Sequence, residues 1–265
     1  MNKTATKVLA LCAAAMMTLT ACTGNAPATE EEKPSDAAST ETKDEATDKK
    51  DEDKTADASA VTGKHEITDL VLPKLAQNEL TTFNILHSET NEDFEILFNL
   101  VEGLLEKDSL DKRHPCVATE WGTEDGGLNW TFKLRNDVKW VDMNGNVKAD
   151  CVADDFLTAL EWTLNFHKND SIGTSMPCQM IKGAQEYYDY TKGLSKEEAY
   201  ALTAGEGSKF REMVAVEAPD AYTLHYTCTA EKPYFDSLMS YTTGMPMSQA
   251  MIDELGGVDG VRAMN

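Results

Sequence analysis

The stretch that most restricts what this chain can fold into is Asn129–Leu134, where Trp130, Phe132 and Leu134 alternate with Asn129, Thr131 and Lys133. Strict period-two alternation describes a half-buried strand, because successive side chains leave a strand on opposite faces. Asp125-Gly126-Gly127 just ahead supplies the positive-φ residues of a tight turn, so residues 117–121 are expected to lead through that turn into the strand. A second turn is expected at Asn144-Gly145-Asn146. Beyond it, Asp154 and Asp155 put negative charge on the first turn of a helix whose Phe156, Leu157, Leu160 and Leu164 recur at three and four residues. Trp121, Trp130 and Trp140 sit in these strands and read as core more readily than as ligand-stacking platforms.

At the other end, Lys3 and Lys7 precede an apolar run over residues 8–19 that is too short to span a bilayer, the layout of an export signal. Residues 23–62 hold 12 acids and 5 bases with no aromatic residue, so they cannot bury enough surface to offset their ordering entropy. Folded sequence is expected from near His65, with a short strand at residues 67–72 and a second at 82–86. Thr90 reads as the N-cap of a helix carrying Phe94, Leu97, Phe98, Val101 and Leu104 on one stripe. Residues 177–193 read as one helix around Ile181, Ala184 and Tyr188. Residues 195–203 read as another, with Ser195 and Glu198 in a capping box. Residues 210–217 and 222–227 read as a hairpin with Tyr222, Leu224 and Tyr226 on one face, and Ser248 as the cap of a last helix that stops at Gly256-Gly257.

Composition works mainly by exclusion. A formal charge of −22 over 265 residues repels phosphate backbones, so nucleic acid is not an expected partner. Beyond Cys12 and Cys22 in the leader, Cys116, Cys151, Cys178 and Cys228 show no CxxC spacing. A thiolate metal site has no support, while disulfides and buried free thiols both stay open. Histidines 65, 87, 114, 167 and 225 form no HExxH, with His114 beside Cys116 the least poor metal candidate. No Gly-rich phosphate loop, GxSxG or SxxK occurs, so neither an enzyme nor a cofactor is expected. The candidate ligand-binding segment is the loop Leu86, His87, Ser88, Glu89 and Thr90, where polar side chains and backbone groups meet a helix start. Met176-Pro177 and residues 241–245 are weaker candidates.

The ordered set Ala118, Trp121, Trp130, Thr131, Phe132, Leu134, Arg135, Val138, Trp140, Ala153, Asp154, Asp155 and Phe156, with its two fixed turns, resembles the extracellular solute-binding proteins of family 5, the peptide-binding subunits of ABC importers. Glu102-Gly103-Leu104, Pro115-Cys116-Val117-Ala118 and Lys232-Pro233-Tyr234-Phe235 are similar to further motifs of that family, with valine replacing a leucine at Val117. Leu19-Thr20-Ala21-Cys22 resembles a bacterial lipobox, which implies lipidation at Cys22 after cleavage behind Ala21. The resemblance implies a mixed α/β, periplasmic-binding-protein-like two-lobe fold with an accessory domain, of which this chain holds only the N-terminal part. It divides the chain into a signal peptide over 1–21, a disordered acidic tether over 22–63 and a solute-binding part over 64–265. Within that part, lobe I takes 64–90 and 214–265, and the accessory domain 91–213. The implied function is capture of oligopeptides at the extracytoplasmic face of a bacterial membrane, reached through the lipid anchor alone, and delivery to ABC permease subunits. By position only, residues 86–90 match a family segment that hydrogen-bonds the peptide main chain. The alternatives are a truncated surface lipoprotein with an adhesive or interaction role, and a relative that binds dipeptide, nickel, haem or sugar.

Overall fold

The computed structural model describes residues 80–265. The leader with Cys22, the tether and the strand expected at 67–72 lie outside the described residues. In chain order the elements are α1 (Asn91–Leu97), β1 (Leu105–Lys107), β2 (Arg113–Pro115), β3 (Ala118–Gly122), β4 (Asn129–Leu134), β5 (Lys139–Val141), β6 (Val147–Asp150) and α2 (Ala153–Leu164). Then come α3 (Phe166–Asn169), α4 (Ser175–Met180), α5 (Ala184–Lys192), α6 (Lys196–Tyr200), α7 (Lys209–Met213), β7 (Val216–Asp220), β8 (Thr223–Thr227), α8 (Phe235–Leu238), α9 (Gln249–Glu254) and α10 (Val258–Arg262).

The alternation in β4 has the expected outcome. Trp130, Phe132 and Leu134 are buried while Asn129 and Lys133 face water. β4 pairs antiparallel with β3 across the turn at Gly126 and Gly127, whose φ angles are 72° and 95°, and with β8 on its other side. The four-stranded sheet runs β3-β4-β8-β7. It opposes Trp130 to Tyr226 and Phe132 to Leu224, and the Phe132 and Tyr226 rings meet edge to face at 5.8 Å. Sequence on both sides of residue 214 therefore contributes strands to one sheet.

Helix α2 packs on this sheet through Phe156, Leu157, Leu160 and Leu164, as their spacing predicts, but nearly every other residue of it is buried too. Ala159 and Trp162, on its other side, belong to a second core cluster with Ile85, Leu97, Ile252 and Val261. A helix buried all round must satisfy its polar side chains internally. Glu161 does so by accepting from Lys168 Nζ at 2.7 Å, Tyr187 Oη at 2.8 Å and Asn165 Nδ2 at 3.0 Å. Lys168 also donates to the Leu202 carbonyl at 2.6 Å.

Four local expectations are corrected. Residues 82–86 are not a strand, because side chains capture the backbone: Thr82 Oγ1 accepts the Asn84 N–H at 2.8 Å and Asn84 Oδ1 the Leu86 N–H at 3.1 Å. The helix from Thr90 ends at Leu97, well short of Leu104, leaving Phe98 and Leu100 exposed. The single helix expected over 177–193 is broken into α4 and α5. Ile181 bridges to Cys228 and the Lys182 N–H bonds to the Thr227 carbonyl at 3.0 Å, so this stretch extends the edge of the sheet. Gly183 follows at φ 84°, where a Cβ would stand 1.8 Å from the Met213 carbonyl oxygen, and Tyr187 takes the inward position expected of Tyr188. Residues 209–213 are helical, capped by Ser208 Oγ on the Arg211 N–H, so Phe210 enters the core from a helix and only 216 onward is strand. The capping box of Ser195 and Glu198 forms as read, and Ser248 caps α9, beyond which the additional helix α10 follows Gly256-Gly257.

Candidate functional site

The loop from Leu86 to Thr90 is anchored from below. The Leu86 carbonyl accepts Asn169 Nδ2 at 2.8 Å, and Asn169 Oδ1 in turn accepts Trp162 Nε1 at 3.0 Å. The polar groups of the loop converge inward on Asp93, which accepts Ser88 Oγ at 2.9 Å and the Thr81 N–H at 2.9 Å, while Thr90 Oγ1 accepts the Asp93 N–H at 3.2 Å. Burial pushes the Asp93 carboxyl up, but the hydrogen bonds from Thr81, Ser88 and Thr90 together outweigh it and hold it below the ordinary aspartate value. The start of α1 is thus already supplied with its anion. Of the five residues, Glu89 alone is exposed, and His87 keeps a buried Nδ1 with no partner among the described residues.

One open hollow of about 590 Å³ lies over β3 and β4, lined by Glu120, Trp121, Asp125, Thr131 and Lys133, and a more apolar concave surface lies where the chain leaves α1. Residues 98–103 run as an open loop, fixed at its end by the Leu104 N–H on the Gly244 carbonyl at 2.8 Å and the Val117 N–H on the Gly103 carbonyl at 3.1 Å. One side of this loop bounds a cavity of about 650 Å³ with Leu105, Lys107, Cys116, Tyr241 and Met245. Its other side bounds one of about 370 Å³ with Val138, Trp140, Cys151, Pro246 and Met251. Leu100, Val101 and Glu102 line both, so the two cavities adjoin along this loop and together are termed the trough, whose apolar lining comes from Leu100, Val101, Leu105, Val138, Trp140, Met245 and Pro246.

The charged residues among the lining are Glu102, Glu106, Lys107 and Lys139. Glu102 pairs with Arg135, which also lies 3.7 Å from Asp137, and Lys107 reaches Tyr241 Oη at 2.7 Å and Asp111 at 2.7 Å. The two thiols in the walls are not activated, since burial pushes Cys116 up to about 11 and Cys151 up to about 12. All four cysteines of the described part are free thiols. Among the described residues no group of three His, Cys, Asp or Glu side chains could hold a metal ion, and no helix is long and apolar enough to cross a membrane.

The remaining motif residues mostly build the frame around the trough. Trp130 and Phe132 are core, and Trp121 donates Nε1 to Asp236 at 3.4 Å. Asp154 pairs with Arg211. Asp155 accepts Trp140 Nε1 at 2.9 Å and the Val152 N–H at 3.0 Å, and its burial raises the carboxyl above its ordinary value. It therefore fixes both the start of α2 and the indole that forms part of the trough wall, a role beyond complementing the helix dipole. Tyr241 and Met245 line the trough, whereas Met176 sits exposed on α4. Leu100 and Val101 were hidden from sequence reasoning because they continue the helical spacing of Phe94 and Leu97. The readable warning was Gly103, three residues beyond Leu100, where a helix is expected to end.

Comparison with known proteins gives a consistent picture. The sequence profile of bacterial extracellular solute-binding proteins, family 5 Middle, matches residues 112–257. The oligopeptide-binding protein AmiA of Streptococcus pneumoniae is 28% identical over 170 residues, 63% of this chain and 23% of AmiA. The periplasmic oligopeptide-binding protein OppA of Escherichia coli is 28% identical over 163 residues, covering 60% of this chain and 25% of OppA. Among solved structures, Haemophilus influenzae OppA in complex with the peptide RPPGFSPFR superposes with a TM-score of 0.52 at 26% identity, over 67% of this chain and 30% of that one. The match thus spans about a quarter of the curated relatives' length.

Proposed function

Because the chain belongs to the bacterial extracellular solute-binding proteins of family 5, we propose that it captures oligopeptides outside the cytoplasm for an ABC importer. The observation that carries this reading is that residues 112–257, which match the family's profile, supply Cys116, Val138, Trp140, Cys151, Tyr241, Met245 and Pro246 to the walls of the trough. An apolar lining from Leu100, Val101, Trp140 and Met245, with Glu102 and Lys107 among it and Arg135 paired to Glu102, suits a ligand that combines apolar side chains with main-chain polar groups. In this reading Cys22 carries the lipid, residues 22–63 are the tether, and the loop at 86–90 stands behind the site as its support. Catalysis has no part in it.

The test is titration calorimetry of RPPGFSPFR, with shorter peptides beside it, into the product of the whole gene, including any sequence that continues past Asn265. Saturable micromolar binding, weakened at least tenfold by Val101→Asp, is the expected result. A second reading has one observation in its favour: a relative at 25% identity is the probable deoxycholate-binding periplasmic protein YgiS of Escherichia coli, and the lining of the trough is largely apolar. Saturation by deoxycholate with no heat from any peptide would select it instead.

A further inference from the structure

The trough holds one charge that the fold itself leaves unmatched. Of the charged side chains in its lining, Glu102 is spent on Arg135, Lys107 on Asp111 at 2.7 Å and Lys139 on Asp150. Glu106 differs from them, because its carboxylate makes no hydrogen bond or ion pair among the described residues. His114, which stands opposite it on β2, is taken by Asp108 at 3.0 Å. Glu106 is exposed at the middle of β1, after the buried Leu105, so it is open to a molecule that enters the cavity of about 650 Å³.

A carboxylate beside apolar walls is screened less than one on an open surface, because water reaches it from fewer sides. Its field extends to the wall of the cavity: burial, and after it the charges of Glu102 and Glu106, push the Cys116 thiol up. A guest that brings an anion here is repelled, and one that brings a cation gains a partner that nothing else in the fold claims. Phe98, Leu100 and Tyr241 stand exposed around the same cavity and offer apolar surface to a methylene stem leading to such a cation. The Lys107 ammonium, 4.5 Å from the centre of the Tyr241 ring, does not cancel this preference, since Asp111 matches it.

Resting on the reading of the trough as a peptide site, we propose that Glu106 makes it selective for peptides that carry a basic side chain, and that its carboxylate receives the guanidinium of an arginine or the ammonium of a lysine. The stem of that side chain lies along Phe98, Leu100 and Tyr241. Every peptide has an amino terminus, so only the side-chain cation separates one peptide from another here.

The test is titration calorimetry on the product of the whole gene with two peptides, RPPGFSPFR and the same sequence with both arginines replaced by citrulline, which keeps the shape of the side chain and removes its charge. The arginine peptide is expected to bind about fivefold more tightly, the effect of one partly exposed charge pair, and added salt should shrink the difference. Glu106→Gln should bring the two affinities together by weakening the arginine peptide, and Glu106→Lys should favour the citrulline peptide. Both substitutions fall on an exposed strand position, so a folded product is expected from each. Equal affinities in the parent, or a preference that survives Glu106→Gln, would overturn the assignment while leaving peptide capture intact. Absence of heat from both peptides would overturn it together with the peptide reading.

Discussion

The ion pair between Glu161 and Lys168 is the place where a single change should do most damage for a reason other than lost volume. Both side chains are almost wholly buried, at 2% and 5% exposure, and each is satisfied by more than its partner. Lys168→Met removes the ammonium, leaves the Glu161 carboxylate with only Tyr187 Oη and Asn165 Nδ2, and frees the Leu202 carbonyl. Glu161→Leu does the reverse, stranding a buried ammonium and the Tyr187 hydroxyl, whose ionisation burial already pushes well above its ordinary range. Losing one member of a buried pair costs about 3–5 kcal/mol, because the survivor keeps its desolvation penalty without its compensation. The double variant buries no uncompensated charge, so its loss should fall short of the sum of the singles by on the order of 2 kcal/mol or more. Urea titration followed by tryptophan fluorescence suits the measurement, since Lys168 Nζ lies 5.8 Å from the centre of the Trp162 ring. Single variants that lose less than about 1 kcal/mol, or singles whose losses simply add, would refute the reasoning.

Four further outcomes are expected. Phe132→Ala should cost about 3–5 kcal/mol and Thr131→Ala well under half of that by denaturant titration; the opposite ranking means the strand faces the other way. Gly183→Ala should destabilise by on the order of 3 kcal/mol or abolish folding, read by circular dichroism, because the new Cβ meets the Met213 carbonyl at 1.8 Å. Asp93 has a folded-state value below the ordinary one, so it contributes stability above the unfolded value of about 3.9 that is lost as pH falls through the folded one. In acid titrations from pH 6 downward Asp93→Asn should therefore be less stable than the parent at the start and should lose less on the way down. Labelled fatty acid fed to expressing cells should enter the protein, and Cys22→Ala should end incorporation; equal labelling of the variant removes the lipidation proposal.

What the sequence made legible were features whose cause is local. The face of β4 follows from alternation alone, the turn before it from two glycines, and the cap of α6 from Ser195 and Glu198. The ordered motif residues around them carried the family. The break between α4 and α5 was not legible because Ile181 and Lys182 are recruited by the end of β8, some 45 residues later, and no local propensity announces such a partner. Residues 210–213 read as strand and are helical, since the cap at Ser208 opens a helix too short to show a period. The trough was missed for a related reason. Leu100 and Val101 keep helical spacing, and only the contacts of Gly103 and Leu104 with Val117 and Gly244 reveal that the chain has left the helix. The loop at 86–90 was correctly read as polar, yet a polar loop can spend its hydrogen bonds on its own helix, as this one does on Asp93.

The pairing of β4 with β8 also sets a timetable. Thr227 Oγ1 donates to Asn129 Oδ1 across 98 positions of sequence. At about 5–20 residues per second of synthesis, β4 leaves the ribosome some 5–20 seconds before the strand that covers its edge exists. Throughout that interval Trp130 and Phe132 have only β3 beside them, and the backbone of β4 presents an unpaired edge to any other extended chain. The nascent protein therefore passes through a stage in which a strand that carries Trp130, Phe132 and Leu134 lacks one of its two neighbours. That edge is closed only once residues 223–227 have been made and pair with it.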